Sequence, residues 1–310
     1  MTGLELGPVI QQLGVLFLII GIGYCAAKCR VFPQGTNRVL AQLVINVTNP
    51  MTVLYSVLGA ERGLSNREVY LLTVIAVAYF VLVIGIGLVL PRILHCRQDQ
   101  RRLYAFMATF SNMGFLGFPV ISAIYGPNAV FYASIFNLNF QLVVYTYGVS
   151  LMDRSSKGLH LSWKTFCSPM ILCSVIAYIC YLTHASAPDV VVKTIGMLSN
   201  VTSPVCMLVI GIALANVPVG RVFTNWRLYV INAVRLLVLP VLVWLVLRQF
   251  DMNPLILGVT VVISAMPVAT MTTLLAAKYG EDETLAASGV FLSTLMSLIT
   301  IPLLMWLLFS

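Results

Sequence analysis

Apolar residues fill most of the chain in long runs, and short polar segments separate these runs. We can draw ten spans of roughly 20 residues or more, the length that an α-helix needs to cross a hydrocarbon layer of ~30 Å. The pattern therefore predicts an all-α polytopic membrane protein. The ten predicted spans are approximately Pro8–Ala27, Asn37–Leu58, Val69–Leu90, Leu103–Tyr125, Asn128–Met152, Phe166–His184, Val190–Asn216, Trp226–Gln249, Pro254–Tyr279 and Thr284–Phe309.

The composition agrees with a membrane protein. Hydrophobic residues make up 60% of the 310 residues and charged residues only 9%, with a mean hydropathy of +0.97. Soluble domains carry roughly 25% charged residues. The net charge of +8 does not indicate nucleic acid, because the cations lie in short loops beside apolar runs. The seven cysteines show no metal-binding spacing, so we expect neither a metal nor a cofactor.

The distribution of Lys and Arg predicts the orientation. One set of alternate loops holds thirteen of these residues and the other set holds four. Because loops rich in Lys and Arg stay on the cytoplasmic side, both termini should lie outside a plasma (cell inner) membrane. The first apolar run lacks a small-residue cleavage site, so we expect a retained helix and not a cleaved signal.

An internal repeat predicts the architecture. The segment Asn46–Pro50 returns as Asn200–Pro204, and the pair Tyr125-Gly126 returns as Tyr279-Gly280, both at an offset of 154 residues. Two recurrences at one offset indicate a repeat of residues 1–154 in residues 155–310. Since each half has five spans, the second copy must enter the membrane from the opposite face. We therefore predict two inverted five-helix repeats, an arrangement that recurs in alternating-access transporters.

Spans four and nine each carry an interruption. Ser111–Pro119 contains two glycines, a proline and Asn112, and span nine contains Ser264–Pro267. Broken backbone at membrane depth is tolerated only where it is buried in protein or lines a wet cavity. Pro267 aligns with Met113 at the repeat offset, so both breaks should lie at similar depth. We expect two broken helices that cross near the midplane.

These motifs resemble a known family. The run Asn112–Pro119, the Asn-Pro turn in span two and a proline-broken span nine that ends in Ala277–Gly280 are similar to the auxin efflux carrier family, which includes plant PIN carriers and bacterial permeases for small dicarboxylates. The resemblance covers essentially the whole chain. The short segment from Met152 to Lys164 favours a bacterial-type member.

The resemblance implies a fold related to bile-acid symporters and sodium/proton antiporters. It implies a scaffold domain of spans one, two, six and seven, a transport domain of spans three to five and eight to ten, and a homodimer formed through the scaffold. It also implies that an organic anion binds where spans four and nine cross. Asn112 matches an Asn of the family's substrate site, and Gln141 is the candidate for a Gln contributed by span five.

Physical chemistry suggests how such a site binds an anion. A helix that starts at a break exposes unpaired N–H groups and about half a positive charge, so a carboxylate can bind there without a buried Lys or Arg. Ser264 and Thr270 have ordinary helix packing as an alternative role. Arg235 lies near the middle of span eight. It either takes part in substrate binding or caps carbonyls that a neighbouring broken helix has freed. The candidate substrate-binding residues are Asn112, Gly114, Gly117, Pro119, Gln141, Ser264, Pro267, Thr270 and Arg235.

A second set of residues suits either a hard cation or a helix hinge. Carbonyls and hydroxyls around the two prolines are able to coordinate sodium, whereas kinking and helix contacts are the alternative. The set comprises Asn46, Thr48, Pro50, Asn200, Thr202 and Pro204.

The predicted function is secondary transport of a small organic anion, a mono- or dicarboxylate such as malate or malonate, by alternating access. The alternative is a sodium-coupled symporter of an amphipathic organic acid. All ten acidic residues lie outside the spans or at their ends, which argues against a carboxylate proton relay. We expect no enzyme, because HExxH, GxSxG and an intramembrane Asp pair are absent from the sequence.

Overall fold

The computed structural model describes residues 6–33, 35–59, 64–152, 167–217 and 219–309. Within these residues helices are joined by turns and short irregular segments, and one isolated antiparallel bridge links Ser111 and Val268. The predicted boundary between residues 154 and 155 and the predicted start of span six at Phe166 lie outside the described residues. The helices are α1 (Leu6–Lys28), α2 (36–58), α3 (Asn66–Ile93), α4 (Arg101–Thr109), α5 (Met113–Tyr125), α6 (Ala129–Met152), α7 (Pro169–Thr183), α8 (Asp189–Ala215), α9 (Trp226–Leu247), α10 (Pro254–Ser264), α11 (Met271–Tyr279) and α12 (Glu283–Phe309).

Six of these helices are long and apolar enough to cross a membrane by themselves: α1, α3, α6, α8, α9 and α12. Three shorter apolar helices are α5, α7 and α10. Large apolar side chains such as Leu18, Val74 and Val81 are exposed on the outer faces of the long helices. Exposed apolar surface of this extent is typical of helices that face lipid, so the fold is that of a multi-pass membrane protein.

Three helices accommodate a proline by widening instead of breaking. A proline has no N–H, and its ring clashes with the carbonyl four residues earlier. A π turn moves that carbonyl away and keeps the helix continuous. In each case the π turn ends two residues before the proline: Val44–Thr48 before Pro50 in α2, Met113–Gly117 before Pro119 in α5, and Val234–Val238 before Pro240 in α9.

True breaks separate α4 from α5 and α10 from α11. Phe110 is extended and ends α4. The Asn112 N–H donates to the Pro267 carbonyl at 2.8 Å, and the Ala269 N–H donates to the Phe110 carbonyl at 3.0 Å. Each break therefore satisfies backbone groups of the other, which hydrocarbon cannot do. The two breaks lie side by side, and their common depth in the membrane stays a prediction.

The first break is shorter than the sequence suggested. It comprises only residues 110–112, and the chain is helical again from Met113. Gly117 and Pro119 thus lie inside α5 and not in the break, because the π turn absorbs the proline without a loss of helical continuity. Pro267, in contrast, does lie in the second break.

The recurring Tyr-Gly pairs have the same structural role in both halves. Gly126 follows the last residue of α5 with a φ of 87°, and Gly280 follows the last residue of α11 with a φ of 69°. Gly280, with a ψ of 29°, has the left-handed conformation in which helices commonly end, whereas Gly126 has a positive φ with an extended ψ of 167°. This likeness agrees with the repeat, whereas the inverted arrangement of two complete five-helix units stays a prediction.

The α1 and α8 helices cross at two glycines. A Cβ atom on Gly211 would lie 2.2 Å from the Ile20 carbonyl oxygen, and one on Gly23 would lie 2.7 Å from the Leu208 carbonyl oxygen. Both neighbours are rigid backbone atoms. The absence of side chains at these positions lets the two helix backbones touch, which is a common way for helices to associate in membranes.

This crossing predicts the effect of one added methyl group. Gly211→Ala should lower the free energy of unfolding by about 1–3 kcal/mol, because the methyl group overlaps the α1 backbone. The apparent melting temperature of the purified protein in detergent, followed by tryptophan fluorescence, measures this loss. Gly21→Ala in α1 is the matched control, because no atom lies within 4 Å of its added Cβ. Equal melting temperatures for both variants would contradict the close crossing.

Candidate functional site

A small cavity lies where the two breaks meet. Its volume is about 80 Å³, and α2, α5, α6 and α11 form most of its wall. None of the described residues that line it is Lys, Arg, Asp or Glu, so its polarity comes from neutral groups. The lining residues are Ile45, Asn49, Ser111, Asn112, Met113, Gly114, Phe115, Asn137, Phe140, Gln141, Tyr145, Met170, Ala269, Thr270, Met271 and Leu274.

Two helices begin at this cavity. Gly114 and Phe115 belong to the first turn of α5, and Thr270 and Met271 lie at the start of α11. The first N–H groups of a helix have no acceptor within that helix. They also carry a partial positive charge of about half an elementary unit. Two such helix starts at one cavity create an environment that favours an anion.

Asn112 is the residue at which the first break turns into the cavity. Its backbone N–H donates to Pro267, and its carbonyl accepts from Leu116 and Gly117 in α5. The side chain is only 3% exposed, and its Nδ2 atom has no hydrogen-bond partner in the described structure. A buried amide donor without a partner is costly. This donor beside two helix starts is therefore a strong candidate for direct contact with a ligand.

Three further polar residues line the side wall, and the sequence analysis did not name them as site residues: Asn49, Asn137 and Tyr145. The Asn49 amide donates to the Gly114 carbonyl at 3.2 Å, and its Oδ1 atom has no partner among the described residues. The position of Asn137 was a usable signal, because it precedes Gln141 by four residues and so shares its helix face. For Asn49 the signal was its place directly before Pro50, inside the motif already noted.

The structure brings together only part of the predicted substrate-binding set. Asn112, Gly114, Gln141 and Thr270 line the cavity. Gly117, Pro119, Ser264, Pro267 and Arg235 do not. The Ser264 hydroxyl donates to the Val261 carbonyl of its own helix at 2.7 Å, which is the ordinary packing alternative for that residue. Pro267 takes part through its backbone, as the acceptor for Asn112.

Arg235 lies behind the break instead of in the cavity. It is 1% exposed, and its Nη1 atom donates to the Ala108 carbonyl at 2.6 Å. Ala108 is in the last turn of α4, and the N–H that would normally bond to its carbonyl, that of Asn112, is bonded to Pro267. Arg235 therefore caps a carbonyl that the break has freed. A cation there also offsets the partial negative charge at the end of α4.

The predicted ion or hinge residues do not share one environment. Thr48, Pro50 and Thr202 are buried, whereas Asn46, Asn200 and Pro204 are exposed on helix surfaces. The Thr52 and Thr202 hydroxyls lie 2.7 Å apart and join α2 to α8. The π turn before Pro50 agrees with the hinge alternative for that residue, and Pro204 lies inside an uninterrupted α8.

Comparison with known proteins places the chain in a family. A family model described as membrane transport protein matches residues 8–305. The chain belongs to this family, the auxin efflux carrier family. The family consists of membrane transporters, so the chain is a transport protein and not an enzyme.

Relatives of the chain extend over its whole length. An uncharacterized transporter of Methanocaldococcus jannaschii is 24% identical, over 98% of this chain and 99% of the relative. The uncharacterized transporter YfdV of Escherichia coli K12 is 22% identical, over 95% and 96%. A protein of Rhizobium meliloti that bears the name "Putative malonate transporter" is 21% identical, over 98% and 96%. The chain and these relatives thus match over nearly their whole lengths.

The capping contact of Arg235 predicts a loss of stability when the guanidinium is removed. Arg235→Leu should lower the free energy of unfolding by about 1.5–3 kcal/mol, the usual contribution of a hydrogen bond to a charged group. Thermal unfolding in detergent measures this effect. Arg248→Leu is the control directly after the same helix, because Arg248 is exposed and its guanidinium stacks over Trp244 at 4.4 Å. A stable Arg235→Leu protein that has lost transport would instead favour a direct substrate role.

Proposed function

We propose that this protein is a secondary carrier for a small organic anion, with its substrate site in the cavity between the two breaks. The observation that carries the proposal is the buried, unpartnered Asn112 amide beside the first turns of α5 and α11. A carboxylate bound there accepts hydrogen bonds from the amide and from free backbone N–H groups. Oriented backbone dipoles then replace the water that the anion loses.

The size and symmetry of the cavity support a short dicarboxylate such as malonate or malate. A cavity of about 80 Å³ suits a molecule of few heavy atoms. Because two helix starts face the same cavity, each is able to bind one carboxylate through its free N–H groups. The name of the Rhizobium meliloti relative points to the same class of substrate. The alternative, a sodium-coupled symporter of a large amphipathic acid, requires a wider site than this one.

We further propose the arrangement that makes this site accessible from each side in turn. Ten spans form two inverted five-helix repeats, with spans one, two, six and seven as scaffold, the remaining spans as transport domain, and a homodimer formed through the scaffold. The Asn49 to Gly114 hydrogen bond joins α2 of the scaffold to α5 of the transport domain. It is a single neutral bond, so its loss during domain movement costs only about 0.5–1.5 kcal/mol.

The energetics favour movement driven by the membrane potential of a plasma membrane. The cavity wall contributes no full charge, so a bound anion keeps its own net charge. Each negative charge that crosses gains or loses about 2.3 kcal/mol per 100 mV. The negative cell interior therefore favours efflux of the anion, and the loop charges support both termini outside the membrane.

Replacement of Asn112 tests the position of the site. Uptake of labelled malonate or malate into proteoliposomes under an imposed potential should fall at least about tenfold in Asn112→Leu, because a hydrogen bond to a charged group contributes about 1.5–3 kcal/mol. Asn139→Leu is the matched control, since the Asn139 amide bonds to the Ile135 carbonyl of its own helix and does not line the cavity. Undiminished uptake by Asn112→Leu would place the site elsewhere.

Competition and sodium dependence test the class of substrate. Uptake of labelled malonate should proceed without sodium and should be inhibited by unlabelled malate but not by cholate at the same concentration, because the cavity is small. A strict requirement for sodium, or inhibition by cholate alone, would favour the symporter of amphipathic acids. If the folded parent protein transports neither malonate nor malate, the dicarboxylate assignment is wrong.

A further inference from the structure

A second and larger cavity lies at the surface, away from the proposed substrate site. It is an open groove of about 950 Å³ between the end of α1, the start of α2 and the end of α8. We propose that this groove binds the headgroup of an anionic phospholipid, and that an acyl chain of that lipid lies along α2. Neither the family membership nor the substrate proposal requires such a site.

The charges of the groove favour a phosphate group. Lys28 and Arg30 line it, and none of its described lining residues is acidic. The ends of α1 and α8 each contribute about half a negative charge, and the start of α2 contributes about half a positive charge. The three helix ends together contribute about half a negative charge, so the two full positive charges of Lys28 and Arg30 leave the groove positive. Asn37 and Asn216, which also line the groove, supply amide groups for hydrogen bonds to phosphate or glycerol oxygens.

The backbone at Arg30 is held in a conformation that a side chain rarely adopts. Its φ is 57°, in the left-handed region where helices usually end with glycine. The turn is closed by a hydrogen bond from the Val31 N–H to the Ala26 carbonyl at 3.0 Å. A strained residue of this kind often marks a functional position. Here the strain places a guanidinium in the wall of the groove, where glycine would have been the less strained choice.

An apolar stripe leads from the groove along α2. Val39, Leu43 and Val47 are each exposed, and Val39 is 66% exposed. Residues four apart lie on one face of a helix. The stripe begins about one turn after Gly35, which lines the groove, so a lipid with its phosphate in the groove has apolar helix surface beneath its acyl chain. A soluble phosphate compound would leave this stripe unused, which is why we commit to a phospholipid.

The groove lies on the face where loops rich in Lys and Arg collect. We propose this face as the cytoplasmic one, and cytoplasmic leaflets carry anionic lipids that attract basic residues near the membrane. Basic cavities between helices on that side are known to hold lipid headgroups. The position of the groove thus agrees with its charge and with the adjacent stripe.

Thermal stabilisation by defined lipids tests the proposal. The protein, purified in an uncharged detergent, is titrated with phosphatidylglycerol or with phosphatidylcholine, and its melting temperature is followed. Phosphatidylglycerol should raise the melting temperature and phosphatidylcholine should not. In the double variant Lys28→Gln/Arg30→Gln the affinity for phosphatidylglycerol should fall about tenfold or more, because each basic residue contributes to the attraction of anionic lipid.

Matched controls separate the groove from general charge attraction. The variant Arg97→Gln/Arg102→Gln removes one exposed cation from the loop before α4 and one from the first turn of α4, both outside the groove. This variant should bind phosphatidylglycerol like the parent. Native mass spectrometry on the same variants counts bound lipid directly, so a variant with lowered stability is still informative. Equal losses in both double variants, equal effects of the two lipids, or competition by free glycerol phosphate at matched concentration would each overturn the proposal.

Discussion

The structure depends on one constraint, that backbone groups inside a membrane must find partners within the protein. The two helix breaks meet this constraint jointly. Asn112 turns its N–H away from the Ala108 carbonyl and toward Pro267, and Ala269 donates to Phe110 in return. The carbonyl that this exchange frees is then bonded by Arg235. A cation deep in the protein, which is expensive in isolation, is thus explained by the broken helix end beside it.

The same exchange of bonds creates the candidate site. Because the chain leaves one helix and starts another at each break, two helix starts face a common cavity, and the described residues of its wall include no charged side chain. The polar groups there are amides, hydroxyls and backbone N–H groups. Such groups bind an anion without neutralising it, so a transported anion would carry its net charge across the membrane. Stability of the breaks and the proposed recognition of the substrate therefore have the same structural origin.

The two sequence halves are alike in pattern but not in environment. Gly126 and Gly280 both follow the last residue of a helix with a positive φ. Pro50, however, follows a π turn, whereas its counterpart Pro204 lies within an uninterrupted α-helix. Arg235 is fully buried, whereas Val81, its counterpart at the repeat offset, is exposed. Among the described residues Arg235 is the one buried cation, so only the break that ends α4 has a charged cap.

The sequence by itself determined the membrane class and the family, because long apolar runs and short motifs are local properties of the chain. It also identified Asn112, Gly114, Gln141 and Thr270, which do line the cavity. Only the tertiary structure decided the rest. It showed that the first break comprises residues 110–112, because a π turn accommodates Pro119. It also showed that Asn49 and Asn137 line the cavity. It also showed which carbonyl Arg235 caps. These features depend on contacts between helices far apart in the chain. The hydropathy and spacing of residues do not predict which distant helices come into contact.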